Sequence, residues 1–177
     1  MQQHSPRPPF PCCPWCRGDL STQDPYRQVC SCCGFILYHS SCPCMGALPL
    51  DGRGRVLLAR RGIEPFRGGW NTIGGFLGYQ EEPLDGLKRE VREETGVDCE
   101  ILECITMIAD QYGDGGTALM CSHFTVRLLS DDFKPQDDVS ELVWFSLDSL
   151  PDNIPFASDR RALAALRERH SKKNERP

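Results

Sequence analysis

Three glutamates near the middle of the chain have the type and spacing of a metal site. Glu90, Glu93 and Glu94 are spaced i, i+3 and i+4, so on an α-helix their carboxylates lie on one face. Like charges at this spacing repel each other unless a positive charge lies among them. Mg²⁺ prefers carboxylate oxygens and leaves coordination positions free for substrate phosphates. The spacing therefore indicates phosphoryl chemistry at a divalent metal, and the alternative is a solvated acidic helix face.

The residues around these glutamates predict the helix that positions them. Pro83 suits a first helical turn, and Gly96 suits the position just after a helix end. Leu84, Leu87 and Val91 form an apolar stripe, which we expect to be buried beside the carboxylates. The acidic face would then border the core of the domain, which argues against the solvated alternative.

The same segment resembles the Nudix box. That motif is G, five residues, E, seven residues and then R-E-U-x-E-E-x-G-U, where U is aliphatic. The positions that match it in one register are Gly75, Glu81, Arg89, Glu90, Val91, Glu93, Glu94, Gly96 and Val97. The resemblance implies an α/β fold, the Nudix α/β/α sandwich with a mixed sheet, and hydrolysis of a nucleoside diphosphate linked to another group, X.

The resemblance also implies roles for the charged residues of the box. Glu90, Glu93 and Glu94 would hold catalytic Mg²⁺ or Mn²⁺, while Arg89 and Glu81 would orient or complete the site. Arg89 can pair with Glu93 one helical turn further on. The metal would lower the pKa of a bound water, which would attack one phosphorus in line.

A general base near the metal would take the proton from that water. Glu93, Glu94 and the loop residue Asp114 are candidates for this role. The sequence does not choose between them.

Candidates for substrate binding lie before the box and in one later loop. The arginines that could bind phosphate oxygens bidentately, or simply lie on the surface, are Arg60, Arg61 and Arg67. Gly74 and Gly75 precede the helix in a turn where the backbone can approach a ligand closely. Tyr112 lies in the glycine-rich loop QYGDGG and is the best candidate for stacking on a nucleobase. Phe66 and Trp70 could stack on a base or pack in the core.

Cysteine pairs near the N-terminus predict a second metal site. Cys13 with Cys16 and Cys30 with Cys33 form two C-x-x-C pairs, the spacing of a tetrahedral four-thiolate Zn²⁺ site. The chain has 11 cysteines, an odd number, and no signal-peptide core at its N-terminus, which argues against a disulfide framework. A structural Zn²⁺ would stabilise a segment without a core of its own. Residues that could replace one of these ligands are Cys12, Cys32, His39, Cys42 and Cys44.

The cysteine pairs predict a zinc ribbon at 10–38, and the resemblance implies a Nudix hydrolase domain at 39–170, followed by a polar tail at 171–177. The strand candidates, rich in β-branched and aromatic residues, are 42–50, 55–61, 97–110, 118–129 and 142–147. A closing helix begins at Ser158, and its apolar face consists of Ala162, Leu163 and Leu166.

The remaining cysteines lie in these strand candidates. Cys42 and Cys44 alternate in the first strand, where we interpret them as small apolar residues. Cys99, Cys104 and Cys121 lie in apolar runs and are expected to be buried and inert.

A zinc ribbon joined to this catalytic domain resembles the NADH pyrophosphatase branch of the family and related ribbon-bearing hydrolases of ADP-ribose or flavin dinucleotide. The S-Q-P-W-P-F-P signature of NADH pyrophosphatases is absent, which weakens the case for NADH as the substrate. The sequence does not identify X. The resemblance leaves a homodimer open, since many relatives are dimers.

Charge and hydropathy restrict the partners. A net charge of −5 argues against general nucleic-acid binding, and no apolar run approaches the roughly 20 residues that span a bilayer. Together with the resemblance, which implies an enzyme that acts on a small nucleotide derivative, these properties predict a cytoplasmic protein that binds neither nucleic acid nor membrane. The alternative is a catalytically weak nucleotide-sensing or interaction module whose ribbon binds a partner. Such a module would be expected to lack box carboxylates, and this chain keeps them.

Overall fold

The computed structural model describes residues 10–113 and 116–174, and the chain divides into two compact units after Ser41. The first unit contains an antiparallel sheet with the order β1-β2-β3. Its strands are β1 (Leu20–Asp24), β2 (Arg27–Cys30) and β3 (Ile36–Tyr38). The polar stretch between the cysteine pairs, which indicated only turns, forms the β1-β2 hairpin. The Asp24 carboxylate closes its turn by accepting the Tyr26 amide hydrogen at 2.8 Å.

The second unit contains two three-stranded sheets. Its strands are β4 (Cys42–Pro49), β5 (Arg55–Arg61), β6 (Trp70–Asn71), β7 (Cys99–Gln111), β8 (Ala118–Leu128) and β9 (Val139–Ser146). In the mixed sheet, β8 pairs parallel with β4 and antiparallel with β7. In the other sheet, β5 pairs antiparallel with β6 and β9. A strand forms at each position where the sequence predicted one.

Two helices complete this unit, α1 (Pro83–Thr95) and α2 (Ala157–Asn174). Gly96 ends α1 in the left-handed conformation, with φ 76°, and donates its amide hydrogen to the Arg92 carbonyl at 2.8 Å. Residues 171–174, the first part of the predicted polar tail, continue α2. Lys, Arg and Glu are good helix formers, so the loss of apolar residues does not end the helix. No helix among the described residues is long and apolar enough to cross a membrane.

Strand alternation builds a core on each face of the β-sheets. On β5, Leu57 and Ala59 pack in a cluster with Leu87 and Val91 of α1. The alternate residues of β5 pack with α2, in a cluster that includes Val56, Leu58, Ala162, Leu163 and Leu166. The β-layer therefore lies between the two helices, as the predicted sandwich requires.

Two burial predictions are corrected. Leu84 is 47% exposed, because the first turn of α1 packs through Gly86, beside which Leu77 leaves no room for a side chain. The buried stripe begins instead at Leu87. Cys99 and Cys121 are buried as expected, but Cys104 is partly exposed. Register shifts on both sides of Cys104 interrupt the alternation of β7.

Candidate functional site

A cavity of about 280 Å³ in the second unit is lined by residues of α1, β4, β8 and the start of α2. Its carboxylates are Glu90, Glu94, Asp137, Asp138 and Asp159. Its aromatic side chains are Phe76, Tyr112 and Phe156. The only arginine among its described lining residues is Arg61. The cavity thus combines an acidic wall with a small cationic and aromatic part.

Helix α1 brings two of the three box glutamates to this cavity. Glu94 is 4% exposed and accepts the Gly74 amide hydrogen at 3.3 Å. Burial, together with the charges of Asp138 and Glu90, raises the pKa of Glu94 well above its ordinary value. Burial also raises the pKa of Glu90, although the neighbouring Arg89 opposes this shift. Both carboxylates are therefore held where their negative charge is unfavourable without a cation.

Glu93 has a different environment from the other two glutamates. Its side chain is 47% exposed and accepts a hydrogen bond from Arg89 at 2.8 Å. It is not among the described residues that line the cavity. The i, i+3, i+4 spacing places all three on α1, but the helix directs Glu93 further towards solvent than Glu94.

Arg89 joins the acidic face to the preceding loop. It donates to both carboxylate oxygens of Glu81, at 2.7 and 2.9 Å, and to Glu90 and Glu93, each at 2.8 Å. The Arg89 hydrogen bonds and the Gly78 amide lower the pKa of Glu81 to about 2. Arg89 and Glu81 do not belong to the described cavity lining. Their geometry is that of residues that position Glu90 and Glu93.

Asp137 and Asp138 are cavity residues that the sequence reasoning missed. The loop that carries them is held at the end of α1, where the amide of Gln136 donates to the Glu94 carbonyl at 3.0 Å. Asp137 itself has φ 52°, a conformation that Asp tolerates better than most residues. The signal was a pair of acids directly before the strand-like run VSELVWFS.

The structure distinguishes the three candidate arginines. Arg61 is 8% exposed, lies 5.4 Å from the Phe156 ring centroid and donates to the Tyr112 hydroxyl at 3.4 Å. Arg60 donates to Glu141 at 3.2 Å, and it lies outside the described cavity lining, as does the exposed Arg67. Arg60 and Arg61 face opposite sides of β5, so Arg61 reaches the cavity and Arg60 does not.

The aromatic candidates separate in the same way. Tyr112 lines the cavity, with its ring centroid 5.4 Å from Phe76 and 6.0 Å from Phe156. Trp70 packs against Phe145 with centroids 4.9 Å apart, beside the α2 core. Phe66 contacts Phe156 edge-on at 5.3 Å without lining the cavity. Asp114, the loop candidate for a base, lies outside the described residues.

Gly74 and Gly75 line the cavity, but their backbone also pairs with β4. The Met45 amide donates to the Gly75 carbonyl at 2.9 Å. A Cβ on Gly74, which has φ 140°, would lie 2.1 Å from the Met45 carbonyl oxygen. The close approach that Gly74 permits is therefore to β4.

A buried polar group forms another part of the cavity. The Asp159 carboxylate accepts hydrogen bonds from the Thr72 hydroxyl at 3.0 Å and the Thr72 amide at 3.1 Å. It also lies 3.1 Å from His123 Nε2. Among the described residues, two buried side-chain atoms have no hydrogen-bond partner, Asn71 Oδ1 and His123 Nδ1.

The cysteine quartet of the first unit converges as a metal site does. The Sγ atoms of Cys13, Cys16, Cys30 and Cys33 all lie within 4.8 Å of one another. The separations are 3.8 Å for Cys13 to Cys33 and 3.5 Å for Cys16 to Cys30, and four thiolates around one Zn²⁺ are about 3.8 Å apart. Backbone amides, that of Cys33 first, lower the pKa of Cys30 to about 6, whereas, against the Gly18 amide, the neighbouring thiols, that of Cys33 first, raise the pKa of Cys16 to about 12. The cluster therefore does not ionise fully without a cation. These sulfurs could hold a metal ion.

The alternative ligands do not belong to this quartet. Cys12 and Cys32 are exposed, and His39 contacts the Phe10 ring with centroids 6.3 Å apart. Cys42 and Cys44 lie in β4 of the second unit and are partly exposed. Cys44 also lines the carboxylate cavity.

Comparison with known proteins places the second unit in a family. The NUDIX domain pattern matches residues 41–166. The NAD-capped RNA hydrolase NudC of Pseudomonas aeruginosa is 33% identical over 141 residues, which cover 78% of this chain and 49% of that protein. The ADP-ribose pyrophosphatase of Methanocaldococcus jannaschii is 27% identical over 97 residues, which cover 55% of this chain and 57% of that protein. The chain thus spans about half the length of these curated relatives.

A solved structure has a fold similar to that of this chain. A crystal structure of a NUDIX hydrolase from Nitrosomonas europaea matches with a TM-score of 0.75 and 28% sequence identity. The match covers 92% of this chain and 93% of that one.

Proposed function

Because the chain belongs to the Nudix family, we propose that it is a metal-dependent hydrolase that cleaves the diphosphate bond of a nucleoside diphosphate linked to another group. The observation that carries this proposal is the acidic wall of the cavity. Glu94 is almost fully buried beside Glu90 and Asp138, and this environment raises the pKa of its carboxyl. A divalent cation would relieve the repulsion, lower the pKa of a bound water and neutralise charge on the departing phosphate.

The donor set fits such a cation. Glu90 and Glu94 would hold Mg²⁺ or Mn²⁺ from α1, with Asp137 and Asp138, on the loop held at the end of α1, as further oxygen donors. Glu93 remains in the proposal as a ligand or as the general base, since it lies on the same helix and is accessible to solvent.

Arg89 and Glu81 contribute through position. The bidentate pair fixes the Arg89 guanidinium, which in turn bonds the Glu90 and Glu93 carboxylates. Without the Arg89 guanidinium, the carboxylates of Glu90 and Glu93 would repel each other and lose the hydrogen bonds that hold them in place.

The substrate class follows from the rest of the cavity. Arg61 can bind phosphate oxygens, and the rings of Tyr112 and Phe156, 17° from parallel, offer faces for a nucleobase. Relatives named for NAD-capped RNA and for ADP-ribose support a nucleotide derivative as the substrate. We therefore propose ADP-ribose, flavin adenine dinucleotide or an NADH-like molecule.

We further propose that the first unit is a structural zinc ribbon. Cys13, Cys16, Cys30 and Cys33 would hold one Zn²⁺, in a ribbon at 10–38 that precedes the catalytic domain. A cytoplasmic location and a homodimer stay predictions from the sequence.

The proposal is tested by product analysis. The purified chain is incubated with ADP-ribose, NADH, flavin adenine dinucleotide, diadenosine polyphosphates and oxidised nucleoside triphosphates. We expect release of a nucleoside monophosphate from at least one diphosphate-linked compound with Mg²⁺ or Mn²⁺, and none without divalent metal. Folded protein that hydrolyses none of them would contradict catalysis and favour the sensing module.

A further inference from the structure

Two cysteines of the second unit lie opposite each other on neighbouring strands. Cys44 of β4 and Cys121 of β8 are register partners in the parallel part of the mixed sheet. Neighbouring strands are about 4.8 Å apart, and side chains at paired positions point to the same face of a sheet. The Cα atoms of disulfide-bonded cysteines are usually roughly 4.4–6.8 Å apart. The backbone spacing of this pair therefore falls within the range that a disulfide requires.

The side chains of the two cysteines also interact with each other. Both are free thiols, and a hydrogen bond between them lowers the pKa of Cys121 and raises the pKa of Cys44. Burial adds to the rise at Cys44. These shifts favour a thiolate at Cys121 over one at Cys44, and the thiolate is the nucleophilic form of cysteine.

The carboxylate cavity gives small molecules a route to the pair. Both cysteines are among its described lining residues. Cys44 is partly exposed, and Cys121 is 3% exposed. A cavity of about 280 Å³ has room for a molecule as small as hydrogen peroxide. Because this oxidant is uncharged, the carboxylates of the cavity do not repel it.

The register distinguishes this pair from the other cysteines in the described part of the unit. Cys42 lies two residues before Cys44 on β4, so its Cα is about 8 Å from that of Cys121, beyond the roughly 7 Å that a disulfide can span. The other three have apolar register partners: Cys42 pairs with Leu119, Cys99 with Leu128 and Cys104 with Phe124.

We propose that Cys44 and Cys121 form a redox-active dithiol in the cavity wall, which hydrogen peroxide oxidises to an intramolecular disulfide and a dithiol reductant restores. One thiol takes an oxygen from the peroxide to become a sulfenic acid, as the O–O bond breaks and water leaves. The second thiol attacks the sulfenic sulfur, which forms the S–S bond and releases a second water. The thiols thus lose two electrons and two protons, and the peroxide is reduced to two waters.

Cysteine mapping of the wild-type full chain tests the pair without any substrate. The reduced protein is treated with hydrogen peroxide, quenched with catalase and blocked with N-ethylmaleimide, then digested without reductant for mass spectrometry. We expect a cross-link between Cys44 and Cys121, located by fragment ions, that dithiothreitol removes. These two thiols should disappear roughly tenfold faster than that of Cys99, which is also buried but has no cysteine partner.

Variants assign the cross-link to the register of β4 and β8. Cys44→Ser removes one of the two sulfurs, so the cross-link to Cys121 should be lost. Cys42→Ser is the matched control, because Cys42 lies on the same strand but outside the described cavity lining. It should form the cross-link at the wild-type rate.

Three results would overturn the proposal. They are reduced Cys44 and Cys121 after a peroxide dose that oxidises the exposed Cys12, oxidation of either residue to a sulfinic acid without a cross-link, and a cross-link from Cys42 to Cys121 in the wild type. If a variant does not fold, the wild-type mapping alone decides. Because the mapping needs no substrate, it can fail while the proposed hydrolysis stands, and the reverse.

Discussion

The cysteine quartet and the carboxylate cavity each bring together side chains that can bind a metal as anions. They differ in whether a hydrophobic core holds the surrounding unit together. In residues 10–41, the buried apolar residues are Cys13 and Cys30, which are themselves members of the quartet. The carboxylates instead lie beside a core that includes Leu57, Leu87 and Val91, each fully buried. Hydrophobic burial can therefore hold the second unit together, whereas the first has little besides its sheet and the sulfurs.

The difference suggests what each metal would contribute. A Zn²⁺ at the quartet would supply folding free energy, because the segment lacks another source. A divalent cation at Glu90 and Glu94 would act on charge that an already stable scaffold has brought together. Under this proposal, one metal site would supply stability and the other would supply chemistry.

The largest expected effect is unfolding of the first unit when its cysteine quartet is broken. Cys30→Ser in the full chain should abolish zinc binding and unfold residues 10–41, since zinc binding supplies on the order of 10 kcal/mol in small zinc domains. Elemental analysis and hydrogen exchange by mass spectrometry measure the two effects. Peptides from 42–174 should keep their protection.

Cys32→Ser is the matched control, because Cys32 is an exposed neighbour outside the quartet. It should retain about one equivalent of zinc. Two results would contradict a stabilising role for zinc in the first unit. One is less than about half an equivalent of zinc in the unmodified protein, and the other is full protection of residues 10–41 from hydrogen exchange in Cys30→Ser.

The next effect is loss of activity without loss of fold. Glu94→Gln retains an oxygen that can accept the Gly74 amide but removes the charge, so kcat should fall roughly 10³-fold, about 4 kcal/mol of transition-state stabilisation. In the presence of Mg²⁺, thermal unfolding should change little. Glu93→Gln should also lower turnover by orders of magnitude if Glu93 is a ligand or the base, and near-wild-type activity in that variant would eliminate both roles.

The features that could be predicted from sequence are the local ones. Pro83, Gly96, Leu87 and Val91 specify α1 through capping and periodicity, and the structure confirms each of these features. The two C-x-x-C pairs likewise specify which sulfurs converge. The residues that specify α1 lie close together in the chain, as do the two cysteines within each pair, although the pairs are 14 residues apart.

The features that escaped prediction depend on distant pairs. Asp159 meets Thr72 across 87 residues and His123 across 36, separations that no periodicity encodes. The choice of Arg61 over Arg60 depends on which face of β5 borders the cavity, and a register shift lies between these two residues. Sequence spacing identified the arginines as a group but not the one that reaches the site.

A third expected effect is a pH dependence confined to the carboxylate unit. The folded-state pKa of Glu94 lies above its ordinary value of 4.5, so the folded protein binds this proton more tightly than the unfolded chain does. Its contribution to stability is therefore complete below pH 4.5 and is lost as the pH rises through the raised pKa. Stability of the Mg²⁺-free wild type should fall over this range relative to Glu94→Gln.

Urea unfolding at pH 5 to 8 measures this difference. The protein is dialysed free of Mg²⁺ without a chelator, so that any Zn²⁺ at the cysteine quartet is retained. A Trp15→Phe background confines the fluorescence signal to Trp70 and Trp144 of the second unit. Added Mg²⁺ should reverse the decline in the wild type and have little effect on Glu94→Gln. If the free energy of unfolding changed with pH in the same way for the two proteins, the charge of the carboxylate cluster would not destabilise the folded state.

The smallest effect separates substrate binding from metal binding within the cavity. Arg61→Gln should raise KM about tenfold. The buried Arg61 is the only arginine among the described residues that line the cavity, and its replacement removes charge-assisted hydrogen bonds to phosphate. Arg60→Gln is the matched control on the same strand and should change KM less than twofold, since its partner is Glu141. The Mg²⁺ concentration for half-maximal activity should be similar in both variants. A larger effect of Arg60→Gln would place the phosphates outside this cavity, whereas a shift in the Mg²⁺ requirement of Arg61→Gln would show that Arg61 supports the metal ligands.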